Sequence, residues 1–313
     1  MKELIKKVPI PISGLMLALA SLGNFLSSYG TIYKTLLGTI SFLILFLLII
    51  KILLIPQEIL KDLENPLVAG IAPTFFMGIM ILSTYVKPYY PEIALILWSL
   101  ALVGHISYIL FFTKRFIFYF DIKKTFPSFF VVYVGIAAAA IPAPSYGMNI
   151  MGRYIFWVAF VSYLVLLPVL LYRVYRYPNL PEPAIPSITI FTAPANLCIA
   201  GYMSSFDIKN MNFLIFLFVL SSIFFIGVLF YLPRMLRIKF YPSFSCFTFP
   251  FVITAIAAKN FYGYLIKKGF TLTFLSIYVN LLTLLAVIMV VFVLFKYIIF
   301  LFSSPKETIA IKN

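Results

Sequence analysis

Prolines recur along this chain at a nearly constant interval, which predicts a repeated structural unit. Pro11, Pro66, Pro127, Pro183 and Pro242 are separated by 55, 61, 56 and 59 residues. Each opens an apolar stretch long enough to cross a bilayer, and a second such stretch follows before the next proline. A fixed period of this length is typical of a repeated supersecondary unit. We therefore predict a pair of transmembrane helices that is used five times.

Composition agrees with a membrane protein. Hydrophobic residues make up 63% of the 313 residues and charged residues only 11%, whereas a soluble domain has about a quarter charged. We predict an all-α integral membrane protein with ten spans in a single transmembrane pore domain, 1–313. The spans are Pro9–Tyr29, Tyr33–Ile55, Pro66–Tyr85, Pro91–Phe112, Pro127–Pro144, Ile150–Tyr172, Pro183–Met203, Asn212–Leu232, Pro242–Tyr262 and Thr271–Phe302. The five hairpin repeats cover roughly 9–56, 66–112, 127–172, 183–232 and 242–302.

The distribution of basic residues predicts the orientation of these spans. One side of the membrane carries 17 of the 24 Lys and Arg residues and the other side carries six, while Lys259 lies within the ninth span. An excess of Lys and Arg in short loops marks the cytoplasmic side, so we expect both termini in the cytoplasm. The net charge of +15 is spread over these loops. Membrane orientation explains it better than a nucleic-acid partner does.

Odd-numbered and even-numbered spans differ in composition. The seventh span reads PAIPSITIFTAPANLCIAGYM, and the eighth reads NFLIFLFVLSSIFFIGVLFYL. Small residues allow helix backbones to approach closely, which favours helix–helix interfaces. We therefore predict an inner ring of odd helices and an outer ring of even helices. The alternative is that the small residues serve packing alone and line no pore.

Prolines also lie inside the odd spans. Pro73, Pro194 and Pro250 follow the opening proline of their spans by seven to eleven residues. An interior proline removes a backbone hydrogen bond and kinks the helix, and the freed carbonyl needs another partner in lipid. Together with Pro11 in the first span, we predict that these prolines bend the inner helices around a central axis.

Acidic residues are placed outside the predicted spans or at their ends. They are Glu3, Glu58, Asp62, Glu64, Glu92, Asp121, Glu182, Asp207 and Glu307. Cation pores and proton relays usually hold carboxylates within the membrane, so a pore in this chain is expected to favour anions. Neither cysteine, Cys198 or Cys246, suggests a disulfide or a metal site, and we expect no cofactor.

Polar residues of the odd spans are candidates for the pore lining, together with the residues that share a helix face with Phe249 at about 100° per residue. The candidates are Ser13, Thr74, Ser128, Thr192, Asn196, Ser245, Ile253, Ile256 and Asn260. The hydroxyl groups could instead bond to the backbone of their own helix.

Three further residues have two interpretations each. Phe249 directly precedes Pro250 and is either an ordinary core residue or an aromatic plug. Lys259 either extends to the membrane surface or attracts anions in an outer vestibule. His105, the only histidine, is interpreted as a packed and hydrogen-bonded side chain rather than a catalytic one.

Five short motifs carry a resemblance to a known family. They are Pro9-Ile-Pro-Ile-Ser-Gly-Leu15, Glu64-Asn-Pro-Leu67, Phe126-Pro-Ser-Phe129, Glu182-Pro183 with Thr192-Ala-Pro-Ala195, and Phe247-Thr-Phe-Pro250. Their order and spacing resemble the tellurite-resistance/dicarboxylate transporter family, which includes a bacterial tellurite-resistance anion channel and the slow anion channels of plant guard cells. The resemblance covers essentially the whole chain.

The resemblance implies ten helices in five hairpins with quasi-fivefold symmetry. It also implies a homotrimer with one pore per subunit and a phenylalanine gate on the ninth helix, which corresponds to Phe249. Relatives tend to have a proline in the middle of the fifth helix. This chain has Phe130-Val-Val-Tyr-Val134 there, so a kink in that helix is left open.

Two functions remain from the sequence. The first is a gated channel for chloride and nitrate in the plasma membrane of a prokaryotic cell. The second is a carrier of C4-dicarboxylates or tellurite, with or without proton coupling. An enzyme would need clustered His, Asp, Glu or Cys residues near one leaflet, which the sequence does not offer. The expected partners are small anions, the bilayer and two further copies of the chain.

Overall fold

A computed structural model describes residues 2–303, and Glu307 and the predicted cytoplasmic C-terminus lie outside this part. All regular secondary structure among the described residues is helical. The α-helices are α1 Lys2–Lys7, α2 Ile12–Leu26, α3 Thr31–Leu54, α4 Pro56–Asp62, α5 Pro66–Ile71, α6 Thr74–Val86, α7 Pro91–Phe112, α8 Phe129–Tyr133, α9 Asn149–Arg176, α10 Ala193–Ser205, α11 Met211–Met235, α12 Phe249–Lys267 and α13 Thr273–Phe302.

Eight helical segments within residues 2–303 are long and apolar enough to cross a membrane, which confirms a multi-pass helical membrane protein. They are Thr31–Leu54, Pro66–Val86, Pro91–Ile117, Asn149–Arg176, Glu182–Ser205, Met211–Met235, Pro242–Lys267 and Thr273–Phe302. The first predicted span contains only the 15-residue helix α2, and the fifth is divided into short pieces. The count of ten spans therefore stays a prediction.

Burial separates these segments into two sets. In the third, seventh and ninth predicted spans, 72%, 89% and 83% of the most apolar window is buried, against 28–33% in the five even spans. In α2, the residues from Ile12 to Gly23 are all buried. The small-residue helices thus form the interior, and the Leu- and Phe-rich helices expose their side chains, as their compositions predicted.

The inner segments contact one another in a closed order. α2 packs against α6, α6 against residues 135–139, these against α10, α10 against α12, and α12 against α2. The last contact includes a hydrogen bond of 3.2 Å from the Thr248 hydroxyl to the Gly14 carbonyl. The contact between α12 and α2 thus closes this order.

Regular α-helix begins at a proline in four inner segments. Pro11 immediately precedes α2, and Pro73 lies between α5 and α6. Pro194 and Pro250 lie in the first turns of α10 and α12, after the 3₁₀ segments Glu182–Thr192 and Pro242–Phe247. A proline is well accommodated in a first turn because its missing N–H has no intrahelical partner there. In these four segments the prolines therefore mark where regular α-helix starts.

The fifth span departs from the continuous helix predicted over Pro127–Pro144. It consists of α8 and two 3₁₀ segments, Gly135–Ala139 and Ala143–Tyr146. This answers the open question about its kink: the segment is interrupted without a mid-span proline.

Candidate functional site

Three cavities follow one another along the inner segments. The central cavity has a volume of about 40 Å³, which is room for only a few water-sized particles. Every inner segment contributes to its wall. The lining residues are Gly14, Ile71, Thr74, Met77, Phe130, Val131, Val134, Gly135, Ile190, Ala193, Pro194, Leu197, Ser245, Cys246, Phe249 and Pro250.

Phe249 lines both the central cavity and a wider one of about 320 Å³ and so lies between them. Only 7% of Phe249 is exposed. The other residues of this second cavity, here called the outer cavity, are Ser21, Asn24, Phe25, Ser27, Ser28, Ile81, Ile141, Ile253, Ile256, Lys259 and Asn260. One aromatic ring thus lies at the boundary between the two spaces.

A third cavity, of about 210 Å³, lies on the other side of the central one and shares Ile71 with it. We call it the inner cavity. Its lining includes Pro11, Asp62, Asn65 and Tyr241. The three cavities and their shared residues trace a path that narrows in the middle of the protein.

Four helix N-termini meet at the central cavity. The first turns of α2, α6, α10 and α12 contribute Gly14, Thr74, Ala193 and Phe249 to its wall. A helix N-terminus carries a partial positive charge that favours anions. Amides of these first turns already bond to preceding carbonyls, for example Gly14 N–H to Pro11 and Met77 N–H to Pro73, so the helix dipole rather than unpaired N–H groups supplies this charge. The middle of the path is therefore electrostatically suited to a negative particle, although it contains no charged side chain among its lining residues.

Ser245 is among the residues that line the central cavity, but its hydroxyl oxygen is buried and the cavity surface is apolar. Ser245 is 2% exposed, and its hydroxyl has no partner at ideal geometry among residues 2–303, although the Tyr297 hydroxyl and the Cys246 thiol lie close enough to interact with it. Gly14 lies directly opposite, where an added Cβ would come within 3.0 Å of the Ser245 Cβ.

The candidate pore residues divide into two groups. Thr74 and Ser245 line the central cavity, and Ile253, Ile256 and Asn260 line the outer cavity together with Phe249 and Lys259. Ser13, Ser128, Thr192 and Asn196 are not among the residues that line the three cavities.

Three of these side chains contact a neighbouring inner segment instead, and the fourth, Thr192, bonds within its own segment. The Ser13 hydroxyl lies 2.7 Å from that of Thr74, and Asn196 donates to the hydroxyl of Thr254 at 2.9 Å. Thr192 bonds to the carbonyl of its own segment at Thr189, and the Ser128 side chain packs against Gly70. The helical period gives the direction of a side chain around one helix, but it does not say which neighbour occupies that direction.

Lys259 has defined contacts at the wall of the outer cavity, and whether it attracts anions there stays a prediction. Its ammonium donates to the Ser28 hydroxyl at 2.8 Å and lies 4.9 Å and 4.8 Å from the ring centres of Phe25 and Tyr29. Cation–π contacts of this kind hold a lysine in place. The charge is thus fixed at the wall of the outer cavity.

Carbonyl groups freed by the prolines find partners on neighbouring segments. Pro73 deprives the Ala69 carbonyl of its amide donor, and the Tyr108 hydroxyl donates to that carbonyl at 2.8 Å. Pro250 does the same to the Cys246 carbonyl, which accepts from the Thr189 hydroxyl at 2.5 Å. These bonds satisfy the requirement that backbone polar groups in lipid be paired within the protein.

The interrupted fifth segment is supported in the same way. His105 Nε2 lies 2.9 Å from the Val132 carbonyl oxygen, and Trp98 Nε1 donates to the Ala139 carbonyl at 3.1 Å. Because a carbonyl only accepts, Nε2 of His105 carries the proton in this pair. The packed, hydrogen-bonded histidine predicted from the sequence is thus found here.

Sequence reasoning missed the roles of Trp98 and Tyr108. A signal was present for Trp98, because Trp98, His105 and Phe112 recur at intervals of seven residues on α7 and therefore share one helix face; Tyr108 does not belong to this series. All three members of the series are buried.

Asp62 was also missed as a cavity residue. Its carboxylate lies 3.9 Å from the ammonium of Lys51, which donates to the Val8 carbonyl at 2.6 Å. Burial raises the pKa of the Asp62 carboxyl above its ordinary value, although Lys51 acts in the opposite direction. This group ties the connection at α4 to the end of α3.

Comparison with known proteins identifies a family for this chain. The model of the SLAC1 family, described as voltage-dependent anion channels, matches residues 8–298. A search of curated proteins found no match.

Proposed function

Because this chain belongs to the SLAC1 family of voltage-dependent anion channels, the family that its motifs resembled, we propose that it is a gated channel for small monovalent anions such as chloride and nitrate. Family members are channels or transporters rather than enzymes. The observation that carries the proposal is the meeting of four helix N-termini at the central cavity. Anions would pass through the outer, central and inner cavities in turn.

Phe249 is proposed as the gate. In support, its ring lies between the central and outer cavities and little of it is exposed. Rotation of this ring away from the path would join the two spaces. Pro250 follows it in the first turn of α12, so no intrahelical amide bond holds the helix start at that position.

Selection of anions would rest on fixed dipoles and remote charge rather than on a buried cation. The helix N-termini would act on an anion in the central cavity, while Lys259 would raise the anion concentration in the outer cavity. Because a tight apolar constriction also demands loss of water, the path would suit small monovalent anions.

The proposal includes the architecture that the sequence predicted. Ten spans in five hairpins, arranged with quasi-fivefold symmetry, would enclose the path, and the closed order of contacts among the inner segments supports this arrangement. Three copies would form a homotrimer with one pore each. The protein would lie in the plasma membrane of a prokaryote with both termini in the cytoplasm, as the excess of basic residues on one side suggests.

Flux measurements on Phe249→Ala test the gate. Purified protein in proteoliposomes is expected to pass chloride and nitrate faster after this substitution. Phe261→Ala is the matched control, because Phe261 is buried on the same helix but stacks on Phe218, away from the cavities. Equal fluxes in the two folded variants would refute the gate.

The second function considered from the sequence, that of a carrier, predicts a different result in the same vesicles. A carrier of C4-dicarboxylates or tellurite would show saturable uptake and no single-channel currents in planar bilayers. An imposed pH gradient would drive that uptake only if protons were coupled to it. Discrete current steps carried by chloride would establish the channel.

A further inference from the structure

A groove of about 700 Å³ adjoins the outer cavity and shares Lys259 and Asn260 with it. The groove lies beside the connection between α10 and α11 and the C-terminal part of α12. Four lysines line it: Lys209, Lys259, Lys267 and Lys268. We call it the lysine groove.

Negative charge in the lysine groove is already compensated. Asp207 is the one carboxylate among its lining residues, and it pairs with Arg153 at 2.5 Å. Arg153 also donates to the Ser205 carbonyl at 3.0 Å, which holds this pair at the end of α10. The four ammonium groups therefore face the groove without a carboxylate partner among its lining residues.

The helix dipole explains only part of this cluster. Lys267 ends α12 and Lys268 caps it, and basic residues near a helix C-terminus are favourable there. Lys209 lies between helices, and Lys259 lies two turns before the end of α12. Their position in the same groove therefore needs another reason.

Lys209 and Lys259 each make a hydrogen bond within the protein but still have N–H groups that can donate to a ligand. Lys209 donates to the Phe206 carbonyl at 2.6 Å, and Lys259 donates to Ser28. An ammonium group has three N–H donors, so each can still bind an anion. Lys267 and Lys268 are exposed and can swing toward the same ligand.

We propose that the lysine groove binds a small polyvalent anion, of the polycarboxylate or polyphosphate class. Each added ligand charge is attracted by the same set of lysines, so affinity rises with valence. Two or more ammonium groups can bond to one such anion at once. A single chloride cannot use them together.

The bound anion would also block entry to the path. It occupies the space next to Lys259 and Asn260, which the lysine groove shares with the outer cavity. The central cavity, at about 40 Å³, is too small to pass it. The block rests on the proposed channel function, but the binding does not.

Titration calorimetry on the full-length protein in detergent tests the binding. Citrate and pyrophosphate are the two polyvalent probes, and chloride at equal ionic strength is the comparison. Removing two exposed charges, in Lys267→Gln/Lys268→Gln, is expected to weaken binding of either probe by about fivefold or more. The control Lys34→Gln/Lys87→Gln removes the same charge from residues that do not line the groove.

The outcomes separate the two parts of the proposal. Binding that falls only in the groove variant supports the site, and a preference for one probe identifies the carboxylate or the phosphate class. Equal loss in both variants, or no binding to the native protein, overturns the site. If chloride flux is present and citrate bound in the groove leaves it unchanged, the block is wrong. If there is no chloride flux at all, the channel function fails while the binding result stands.

Discussion

The hydroxyl of Tyr108 donates a 2.8 Å hydrogen bond to the Ala69 carbonyl, the group that Pro73 leaves without an amide partner. The two residues lie on different segments, α7 and α5. An outer helix thus stabilises the break in an inner one. The same helix supplies His105 and Trp98 to the carbonyls of Val132 and Ala139, so α7 supports two inner segments at once.

Tyr108→Phe is expected to destabilise the protein by about 1–3 kcal/mol, because it leaves the buried Ala69 carbonyl unpaired. The free energy of unfolding in mixed detergent micelles measures this. Tyr119→Phe is the control, since Tyr119 is 83% exposed and its hydroxyl can be replaced by water. Equal stability of the two variants would show that the Ala69 carbonyl has another partner.

His105 offers a graded test of the support given to the fifth segment. His105→Leu removes the donor to the Val132 carbonyl and is expected to lower stability by about 1–3 kcal/mol. His105→Gln can still place an N–H near that carbonyl, so its loss is expected to be smaller. A thermal unfolding series of the three proteins gives the order, and a Gln variant as weak as the Leu variant would contradict the hydrogen-bond role.

Much of this fold could be predicted from local signals in the sequence. The length of an apolar stretch and an opening proline define a span without knowledge of its neighbours, and Pro91–Phe112 has the predicted bounds. The contrast between small and large residues also separated buried from exposed helices.

Other features depend on contacts between distant residues and could not be predicted. The interruption at Gly135–Ala139 needs Trp98 and His105 on another helix, and no proline announces it. Among the candidate pore residues, Ser13 and Asn196 face polar groups on adjacent inner segments. A single sequence gives their helix face but not the neighbour that they meet.

Two glycines allow a prediction about close packing. A Cβ at Gly70 would come 2.2 Å from the Ser128 hydroxyl oxygen and 3.2 Å from the Ser128 carbonyl carbon, whereas a Cβ at Gly227 meets nothing within 4 Å. Gly70→Ala is therefore expected to destabilise the protein by about 1–3 kcal/mol through overpacking. Gly227→Ala is expected to stabilise α11 by about 0.5–1 kcal/mol.

The partner substitution distinguishes overpacking from a helix effect. Ser128→Gly removes the atoms that a Cβ at Gly70 would strike first, so it is expected to recover part of the loss in a double variant. Unfolding free energies of the two single variants and the double variant give the coupling. Strict additivity would show that Gly70 and Ser128 do not compete for the same space.

The shifted pKa of the Asp62 carboxyl predicts that the stability of the protein depends on pH. Burial raises the pKa of this carboxyl in the folded protein, so the folded state binds its proton more readily than the unfolded state does. Stability from Asp62 is therefore expected to rise as the pH falls through the folded pKa toward the ordinary carboxyl value of about 3.9. Other carboxylates titrate in the same range, so the informative quantity is the difference between the native protein and Asp62→Asn.

That difference has a defined sign. Asp62→Asn cannot lose a proton, so it is expected to gain less stability than the native protein when the pH falls from neutral to weakly acidic. Melting temperatures measured across this range give the two curves, with Asp121→Asn as the control at another cytoplasmically assigned connection. Parallel curves for the native and Asp62→Asn proteins would mean that the Asp62 carboxyl has the same pKa in the folded and unfolded states. In that case Lys51, 3.9 Å away, would offset the burial of the carboxylate fully.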